Sequence, residues 1–337
     1  MNGDWIKKEV KELYGISPCL VEEIPRGSAD IYLVLLNSGQ KYIFKVFQEK
    51  MTEDRVQKEL LMTEHLHKKG FIVPEYIGIK GNSSYYGFTS NNRIAVLQKY
   101  ISGKVLDDNK ATPKQMTIMA ELYAEILIAM KDYPSPLPSF SFEQLSRKNI
   151  IDSIEEAQKL QLTVNDKDVV CKINDKIKWM QELLEIDYDF FSHISVENSH
   201  GDYNPFQIIF EPEGFNAGVA ILDFASAKKM PVVFELVRCY LYASPNALFG
   251  QVKMEEFISF IKVFNDLFTL NEYDLRYMFY PYYIKSVSNL FGYREYLLTG
   301  DNTFKFLGDQ IYYQCKAFHK NIKDYSNQLI KGMKGDI

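Results

Sequence analysis

The amino-acid sequence predicts an α+β protein in which strands dominate the first hundred residues and helices dominate the rest. Three short runs rich in aliphatic and β-branched residues, at 19–24, 31–36 and 41–47, are separated by turn residues. The third run alternates polar with apolar side chains, which is typical of a half-buried strand. From residue 113 onward, apolar residues recur with the i, i+3, i+4 spacing of amphipathic helices. These observations place a sheet before a larger helical part.

The composition fits one two-lobed enzyme or two ordinary domains. The chain has 337 residues, of which 46% are hydrophobic and 25% are charged, so it can bury a large core. Its net charge of −5 argues against a general nucleic-acid binder, because such proteins are usually basic. We therefore expect no nucleic-acid partner.

Cysteine usage and the first residues predict a cytoplasmic protein. The four cysteines lie far apart, without a CxxC pair or a histidine at ligand spacing, which is typical of reduced thiols. The opening stretch, MNGDWIKKEV, lacks the apolar core of a signal peptide. No run approaches the roughly 18 apolar residues that span a bilayer. We expect no membrane partner, and either a monomer or a homodimer.

The remaining elements of the first hundred residues are two helices and three strands. Apolar residues at helical spacing predict a short helix over 4–14 and a longer one over 54–69, which Gly70 ends. The strands are expected at 76–80, 85–89 and 94–100.

The rest of the chain carries six helical segments and one rigid connection. The connection, 133–140, contains three prolines and cannot be helical. The helices are expected at 113–131, 170–186, 231–243, 252–270, 273–293 and 304–330. The aromatic-rich residues 273–296 either pack between these helices or in part form a box for an amine.

The stretch 199–227 carries the strongest functional signal in the sequence. It reads as a polar loop, a short apolar strand, a turn at 211–216, and a second apolar strand that ends at Asp223. Two carboxylates, Asp202 and Asp223, are thereby offered from the two ends of a predicted β-hairpin. This arrangement places a general base beside a metal-binding acid, the two groups that phosphoryl transfer requires.

These residues resemble the catalytic core of the aminoglycoside phosphotransferase and choline kinase superfamily, a branch of the protein-kinase-like fold. The family pattern HGDxxxxN, followed by an aspartate and an aromatic residue, corresponds here to His200-Gly201-Asp202, Gln207 and Asp223-Phe224. The resemblance is specific because both motifs occur in order at the expected separation. It implies a small N-lobe with an antiparallel sheet and one helix over 1–100, which binds the nucleotide. A larger, mostly helical C-lobe over 101–337 would carry catalysis and substrate binding.

In the N-lobe the resemblance implies a set of residues that bind the nucleotide. The first hairpin, with Gly27 and Ser28, would cover the phosphates of ATP, although it lacks the GxGxxG pattern of protein kinases. Lys45 on the third strand would bind the α- and β-phosphates. Glu59 is the candidate to hold Lys45 extended, and Glu64 is its rival. The backbone near Gln98 and Tyr100 would meet the adenine; this set is Gly27, Ser28, Lys45, Glu59, Gln98 and Tyr100.

In the C-lobe the resemblance implies the catalytic and metal-binding residues. Asp202 would accept or orient the proton of the substrate hydroxyl, and Asp223 would bind Mg²⁺. Gln207, which stands where the family has asparagine, would be a second metal ligand whose oxygen is shifted by about 1 Å or more. His200 is expected to be structural, with its imidazole hydrogen-bonded to the backbone near Asp223, rather than an acid or a base. Glu235, at a position where the family often has an acid, is expected to be structural.

The implied function is ATP- and Mg²⁺-dependent phosphorylation of a hydroxyl group on a small molecule. Aminoglycosides, amino alcohols, homoserine and sugar-like metabolites are the candidate acceptors. Two alternatives remain: a catalytically weak or inactive kinase-like binding or structural protein, similar to spore-coat members, and a protein kinase. Gln207 and the single-glycine loop favour the first, whereas retention of Lys45, Asp202 and Asp223 argues against it. The absence of Asp-Phe-Gly and Ala-Pro-Glu motifs argues against the second.

Overall fold

The computed structural model describes residues 3–25, 29–140, 145–163, 166–210 and 219–335. The chain divides into two compact units. The first unit contains Met1–Val105 and Gln207–Ala227, and the second contains Leu106–Phe206 and Lys228–Ile337. No helix in the described part of the chain is both long and apolar enough to cross a membrane.

The first unit is built on two sheets. Their strands are β1 (Leu20–Ile24), β2 (Asp30–Leu35), β3 (Lys41–Val46), β4 (Tyr86–Phe88), β5 (Ile94–Lys99), β6 (Lys104–Val105), β8 (Ile208–Phe210) and β9 (Val219–Ile221). The first sheet has five strands in the order β1-β2-β3-β5-β4, and every neighbouring pair is antiparallel. The second sheet has three strands in the order β6-β8-β9. The described residues of this unit also form two helices, α1 (Gly3–Tyr14) and α2 (Glu53–Lys68).

The two helices cover opposite faces of the five-stranded sheet. Ile6 and Val10 of α1 pack with Phe44 and Val46 of β3, whereas Val56 and Leu60 of α2 form a second cluster with residues that include Phe47 and Val96. Side chains alternate between the faces of a strand, so Lys45 points away from α1 and towards α2. The alternating sequence of β3 therefore delivers one lysine into a buried position.

Helix α2 has a defined start that fixes which residues face the sheet. The Thr52 hydroxyl accepts a hydrogen bond from the Arg55 N–H, and Glu53 and Asp54 follow in the first turn, where acids complement the helix dipole. The buried residues of α2 include Val56, Leu60 and the carboxylate residue Glu59. Carboxylates are rarely buried unless they are paired, so the burial of Glu59 on this face of α2 indicates that it has a cationic or hydrogen-bonding partner.

Gly103 allows the chain to pass close to the three-stranded sheet. Its φ is +137°, and a Cβ at this position would lie 2.5 Å from the carbonyl oxygen of Phe210 on β8. Only glycine adopts this conformation without strain and leaves the required space.

The second unit is mostly helical, and its described residues contain one two-stranded sheet. That sheet pairs β7 (Val196–Ser199) with β10 (Lys228–Pro231) in antiparallel register, with Ser199 opposite Lys228. The helices are α3 (Pro113–Ala129), α4 (Arg147–Gln161), α5 (Lys167–Leu183), α6 (Val232–Ala243), α7 (Met254–Leu267), α8 (Glu272–Arg276), α9 (Tyr280–Val287), α10 (Phe291–Thr299) and α11 (Asn302–Lys334). An antiparallel sheet in the first unit and helices in the second match the predicted α+β class.

Two predicted elements take a different form in the structure. Residues 76–80, expected as a strand, make only an isolated bridge, between Tyr76 and Gln98. The edge of β5 is shared, because β4 pairs with Ile94–Val96 and leaves only its second half. The helix expected at 273–293 is divided among α8, α9 and the start of α10, and Pro281 in the first turn of α9 explains the first of the two breaks.

Candidate active site

Lys45 lies between two carboxylates within the first unit. Its Nζ donates to Glu59 Oε1 at 3.3 Å and to Asp223 Oδ1 at 3.1 Å. The side chains of Lys45 and Glu59 are 10% and 3% exposed, whereas that of Asp223 is 40% exposed. The expected Lys45–Glu59 pair is therefore present, and it is joined to Asp223. Glu64, the rival partner, instead pairs with Lys68 on the exposed side of α2.

The charges in this cluster shift the pKa values of its members. Burial alone would lower the pKa of Lys45, but Glu59 and Asp223 outweigh that effect and raise it. Burial raises the pKa of Glu59 despite the attraction of Lys45. Tyr76 donates its hydroxyl to Glu59 Oε1 at 3.2 Å, and its own pKa is well above the usual value because it is buried beside that carboxylate. Lys45 is therefore held as a cation.

Asp223 stands in a backbone conformation that few residues adopt. It follows β9 with φ +61° and ψ +70°, in the left-handed region. Non-glycine residues are uncommon there, aspartate and asparagine are the most tolerant, and such positions concentrate at functional sites. The conformation turns the chain immediately after the strand and precedes the short 3-10 turn Phe224–Ser226.

Gln207 and Asp223 occupy corresponding ends of the β8–β9 hairpin. Ile208 pairs with Ile221, and the Leu222 N–H donates to the Gln207 carbonyl oxygen at 2.8 Å. Their side chains offer carboxylate and amide oxygens, the donor set that suits Mg²⁺. No group of three or more His, Cys, Asp and Glu side chains in the described residues forms a metal site by itself. A donor set of two protein oxygens fits a metal whose other ligands are phosphates and water.

Asp202 lies in a tight loop that directly follows β7 in the second unit. Gly201 has φ +79°, and the Asp202 N–H donates to Nδ1 of the fully buried His200 at 3.2 Å. Asn204 donates from Nδ2 to the Asp202 carbonyl oxygen at 2.8 Å and accepts from the Phe206 N–H. His200 thus accepts from the backbone of its own loop, and its expected bond to the backbone near Asp223 stays a prediction.

Glu235 on α6 accepts hydrogen bonds from the backbone N–H groups of the same loop. Its carboxylate, fully buried, accepts from the N–H groups of Gly201 at 3.3 Å and Tyr203 at 2.9 Å. It also accepts from the hydroxyls of Ser199 and Tyr123. Backbone N–H groups from two positions converge on one carboxylate, so Glu235 fixes the path of the loop around Asp202. The sequence indicated a structural acid here but not this contact.

Arg238, one turn further along α6, donates hydrogen bonds to oxygen atoms of the loop. Its Nη2 donates to Asp202 Oδ1, and its Nη1 lies 3.4 Å from the Gly201 carbonyl oxygen. No sequence motif marks this residue. Its only signal was its spacing of three positions after Glu235, which places both side chains on one face of the helix.

Comparison with known proteins assigns the chain to a family. Residues 21–257 match the model of the phosphotransferase enzyme family, which covers more than half of the chain. The chain belongs to this family. Members transfer phosphoryl groups to hydroxyls of small molecules, so the protein is a small-molecule kinase by membership.

Solved structures of small-molecule kinases share the fold of this phosphotransferase. A spectinomycin phosphotransferase, in complex with ADP and spectinomycin, has 15% sequence identity and a TM-score of 0.66 over 98% of this chain and 99% of its own. The amicoumacin kinase hAmiN, in complex with AMP-PNP, Ca²⁺ and Ami, has 14% identity and a TM-score of 0.65 over 96% and 94%. A microcompartment-associated aminopropanol kinase has 11% identity and a TM-score of 0.66 over 95% and 97%. No curated protein sequence matches.

The remaining predicted nucleotide-binding residues of the phosphotransferase fall into two groups. Gly27 and Ser28 lie outside the described residues. Gln98 is in β5, where it pairs with Ile43, and Tyr100 follows the strand. The Tyr100 N–H donates to the Lys41 carbonyl oxygen at 3.2 Å, so the sheet already uses this donor.

Most rings in the aromatic-rich stretch of the phosphotransferase are packed in the second unit. Tyr282, Tyr283 and Tyr293 are buried, and Tyr277 stacks on Phe190 with ring centroids 4.2 Å apart. These contacts favour packing between helices over an amine-binding box as the main role of the stretch.

Proposed function

We propose that this phosphotransferase uses ATP and Mg²⁺ to phosphorylate a hydroxyl of a small molecule. The observation that carries the proposal is the position of Lys45, buried and bonded to both Glu59 and Asp223. A lysine held in this way has a fixed charge, which an ATP-binding site requires, and Asp223 presents an acid beside it. Family membership and the loop around Asp202 support the same reaction.

Lys45 would bind the α- and β-phosphates of ATP. Glu59 holds the lysine through a buried ion pair and is itself held by Tyr76, so the ammonium is oriented before the nucleotide arrives. Preorganised charge lowers the cost of binding and catalysis, because the groups need not rearrange. The backbone at Gly27 and Ser28 would add N–H donors to the phosphates.

The adenine would lie against the backbone around Gln98 and Tyr100. Since the Tyr100 N–H is bonded to Lys41, the nucleotide would use other backbone groups of this segment. We propose that residues 1–100 bind the nucleotide and that residues 101–337 carry catalysis and substrate binding. We also propose a cytoplasmic monomer or homodimer without nucleic-acid or membrane partners.

Asp223 and Gln207 would hold the metal ion. A bound divalent cation supplies charge neutralisation to the phosphates. The carboxylate of Asp223 is partly exposed and already attracts a cation, Lys45. Gln207 would offer a neutral oxygen from the neighbouring strand at the same end of the hairpin.

Asp202 would orient the acceptor hydroxyl and receive its proton. The hydroxyl oxygen forms a bond to the γ-phosphorus, and the bond from that phosphorus to the β–γ bridging oxygen breaks. The bond's electron pair leaves with ADP, and the hydroxyl proton passes to Asp202 and then to water. Asp202 is suited to this role because its backbone is bonded on both sides, to His200 and Asn204.

The direct test is ADP release from Mg-ATP by the purified protein. It uses a panel of aminoglycosides, amino alcohols, homoserine and sugars, with Asp202→Asn as the test variant and the exposed Asp324→Asn as the matched control. We expect release that depends on one acceptor class, falls about a thousandfold in Asp202→Asn and stays unchanged in Asp324→Asn. ATP affinity, measured by calorimetry, should stay nearly the same in Asp202→Asn.

Two results would change the proposal. Full phosphoryl transfer by Asp202→Asn would exclude this residue as the base. ATP binding without turnover on any acceptor would favour the second candidate, a catalytically weak or inactive kinase-like binding or structural protein. The observation that favours this candidate is Gln207, where the family pattern has asparagine.

A further inference from the structure

Arg238 contacts the side chain of the proposed base directly. Its guanidinium donates from Nη2 to Asp202 Oδ1 and approaches the Gly201 carbonyl oxygen from Nη1 at 3.4 Å. The Arg238 side chain is 23% exposed and that of Asp202 is 32% exposed, so the pair is shielded from much of the solvent. The two groups come from different elements, the loop after β7 and helix α6.

The charge of Arg238 is maintained in this setting. Burial alone would lower its pKa, but the carboxylates of Asp202 and Glu235 outweigh that effect and raise it. A largely buried ion pair is a weak source of stability, because desolvation of both charges offsets their attraction. Apolar residues of similar size would serve packing at least as well. The pair is therefore better explained by what it does to Asp202.

The backbone contacts of the loop do not fix the Asp202 carboxylate itself. Glu235 holds the N–H groups of Gly201 and Tyr203, which sets the path of the chain. Two side-chain torsions set the direction of the carboxylate, and the contact from Arg238 to Oδ1 restricts both of them. Helix α6 thus acts twice on this loop. Its Glu235 fixes the backbone, and its Arg238 orients the Asp202 carboxylate.

We propose that Arg238 is a positioning residue for phosphoryl transfer, acting through Asp202. This inference rests on the proposed function. The guanidinium sets the direction in which the carboxylate meets the acceptor hydroxyl and does not itself contact ATP. Errors of about 1 Å in the placement of a catalytic group cost about a hundredfold in rate, which sets the expected size of the effect.

The test compares Arg238→Met, Arg238→Lys and a control, Arg276→Met. Arg276 also pairs with an acid in the second unit, Glu272, but both side chains are more than half exposed. In Arg238→Met we expect kcat to fall about a hundredfold, with the KM for ATP within about twofold of the wild-type value. Arg238→Lys should recover about tenfold of that loss, because lysine keeps the charge but not the planar fork. Arg276→Met should match the wild type.

A second comparison separates positioning from folding. Introduced into Asp202→Asn, the Arg238→Met change should cost less than about twofold in residual kcat, because its target is already removed. The double variant also lacks the unpaired Asp202 carboxylate that Arg238→Met leaves, so this charge does not oppose its folding. A further large loss in the double variant would overturn the positioning role.

The wild-type protein distinguishes failure of this inference from failure of the proposed function. Acceptor-dependent turnover in the wild type, together with an unchanged kcat in Arg238→Met, would overturn the positioning role alone. No turnover on any acceptor would overturn the proposed function and, with it, this inference.

Discussion

Glu235 and Arg238 lie three positions apart on α6 and bind the same loop with opposite charges. Glu235 accepts from the N–H groups of Gly201 and Tyr203, whereas Arg238 donates to Asp202 and faces the Gly201 carbonyl oxygen. Residues three positions apart lie on one face of a helix, so α6 can bind both the N–H donors and the oxygen acceptors of the loop. The geometry around Asp202 therefore depends on a helix that is more than thirty residues away in sequence.

Replacing Glu235 with glutamine should destabilise the protein and slow turnover. The carboxylate accepts from four donors, including the hydroxyls of Ser199 and Tyr123. An amide of the same size presents N–H groups to some of these donors and leaves them unsatisfied, at a cost of about 2–3 kcal/mol. Urea unfolding should show this loss, and kcat should fall in parallel.

The control for this variant is Glu255→Gln, at an exposed position in the first turn of α7. It should change neither the urea midpoint nor kcat. If Glu235→Gln kept the wild-type urea midpoint, the buried contacts of Glu235 would not stabilise the loop around Asp202.

Replacing Asp223 with asparagine should weaken Mg-dependent nucleotide binding. Asparagine tolerates the left-handed conformation at this position, so the change removes charge without straining the backbone. Interactions with a charged group contribute about 1.5–3 kcal/mol, which corresponds to a loss in affinity of tenfold or more. Calorimetry with Mg-ATP, compared with ATP in the presence of EDTA, measures the effect. Asp54→Asn, on the exposed face of α2, is the control, and equal loss in both variants would contradict the assignment.

Replacing Gln207 with asparagine tests its role at the hairpin. If its side-chain oxygen binds the metal, Gln207→Asn should keep or raise kcat, because it restores the residue of the family pattern. Gln207→Leu keeps the size of the side chain but removes the oxygen, so kcat should fall about tenfold or more. Steady-state kinetics over a range of Mg²⁺ concentrations measures kcat for both variants and so tests whether the side-chain oxygen is required. Complete loss in Gln207→Asn would mean that the loop requires glutamine itself.

The burial of Lys176 should make the free energy of unfolding depend on pH. It is almost fully buried on α5, and its Nζ donates to the carbonyl oxygens of Ser286 and Asn289 at the end of α9. Burial lowers the pKa of Lys176 below 10.5, although the nearby Cys315 acts in the opposite direction. In the window from the lowered pKa to 10.5, the unfolded chain binds more protons than the folded one, so this residue's contribution rises with pH.

The measurement is the urea midpoint of the wild type and Lys176→Met as a function of pH. The stability of the wild type relative to Lys176→Met should increase as pH rises through that window towards 10.5. Lys178→Met, at an exposed position on the same helix, should show no such trend. A difference from Lys176→Met that falls with rising pH would reverse the sign and exclude the proposed cause.

The parts of the fold that follow from local pattern could be predicted from the sequence. The alternation in β3 and the apolar stripe of α2 predicted these two elements, whereas the pairing of Lys45 with Glu59 came from the resemblance; the structure contains that pair. Residues 76–80 could not be assigned from their own sequence, because the edge of β5 is already partly used by β4. The break at Pro281 carried a sequence signal in the proline itself.

The candidate site divides in the same way. Asp202, Gln207 and Asp223 stand in a motif with fixed spacing, so the resemblance located them. Arg238 has no motif of its own, and its contact with Asp202 depends on how α6 packs against a loop 36 positions away. Side-chain contacts of this kind are set by tertiary packing, which periodicity does not encode.

The position of Lys45 has a thermodynamic consequence for ligand binding. With its ammonium on the Asp223 carboxylate, the protein carries an internal competitor for any metal ion at that acid. At the proposed site, Mg²⁺ alone would have to displace the Lys45 ammonium from Asp223, so it would bind weakly. A nucleotide would offer Lys45 an alternative anion in its phosphates and would thereby release Asp223 for the metal. Nucleotide and metal should therefore bind cooperatively, each raising the affinity for the other by the same factor.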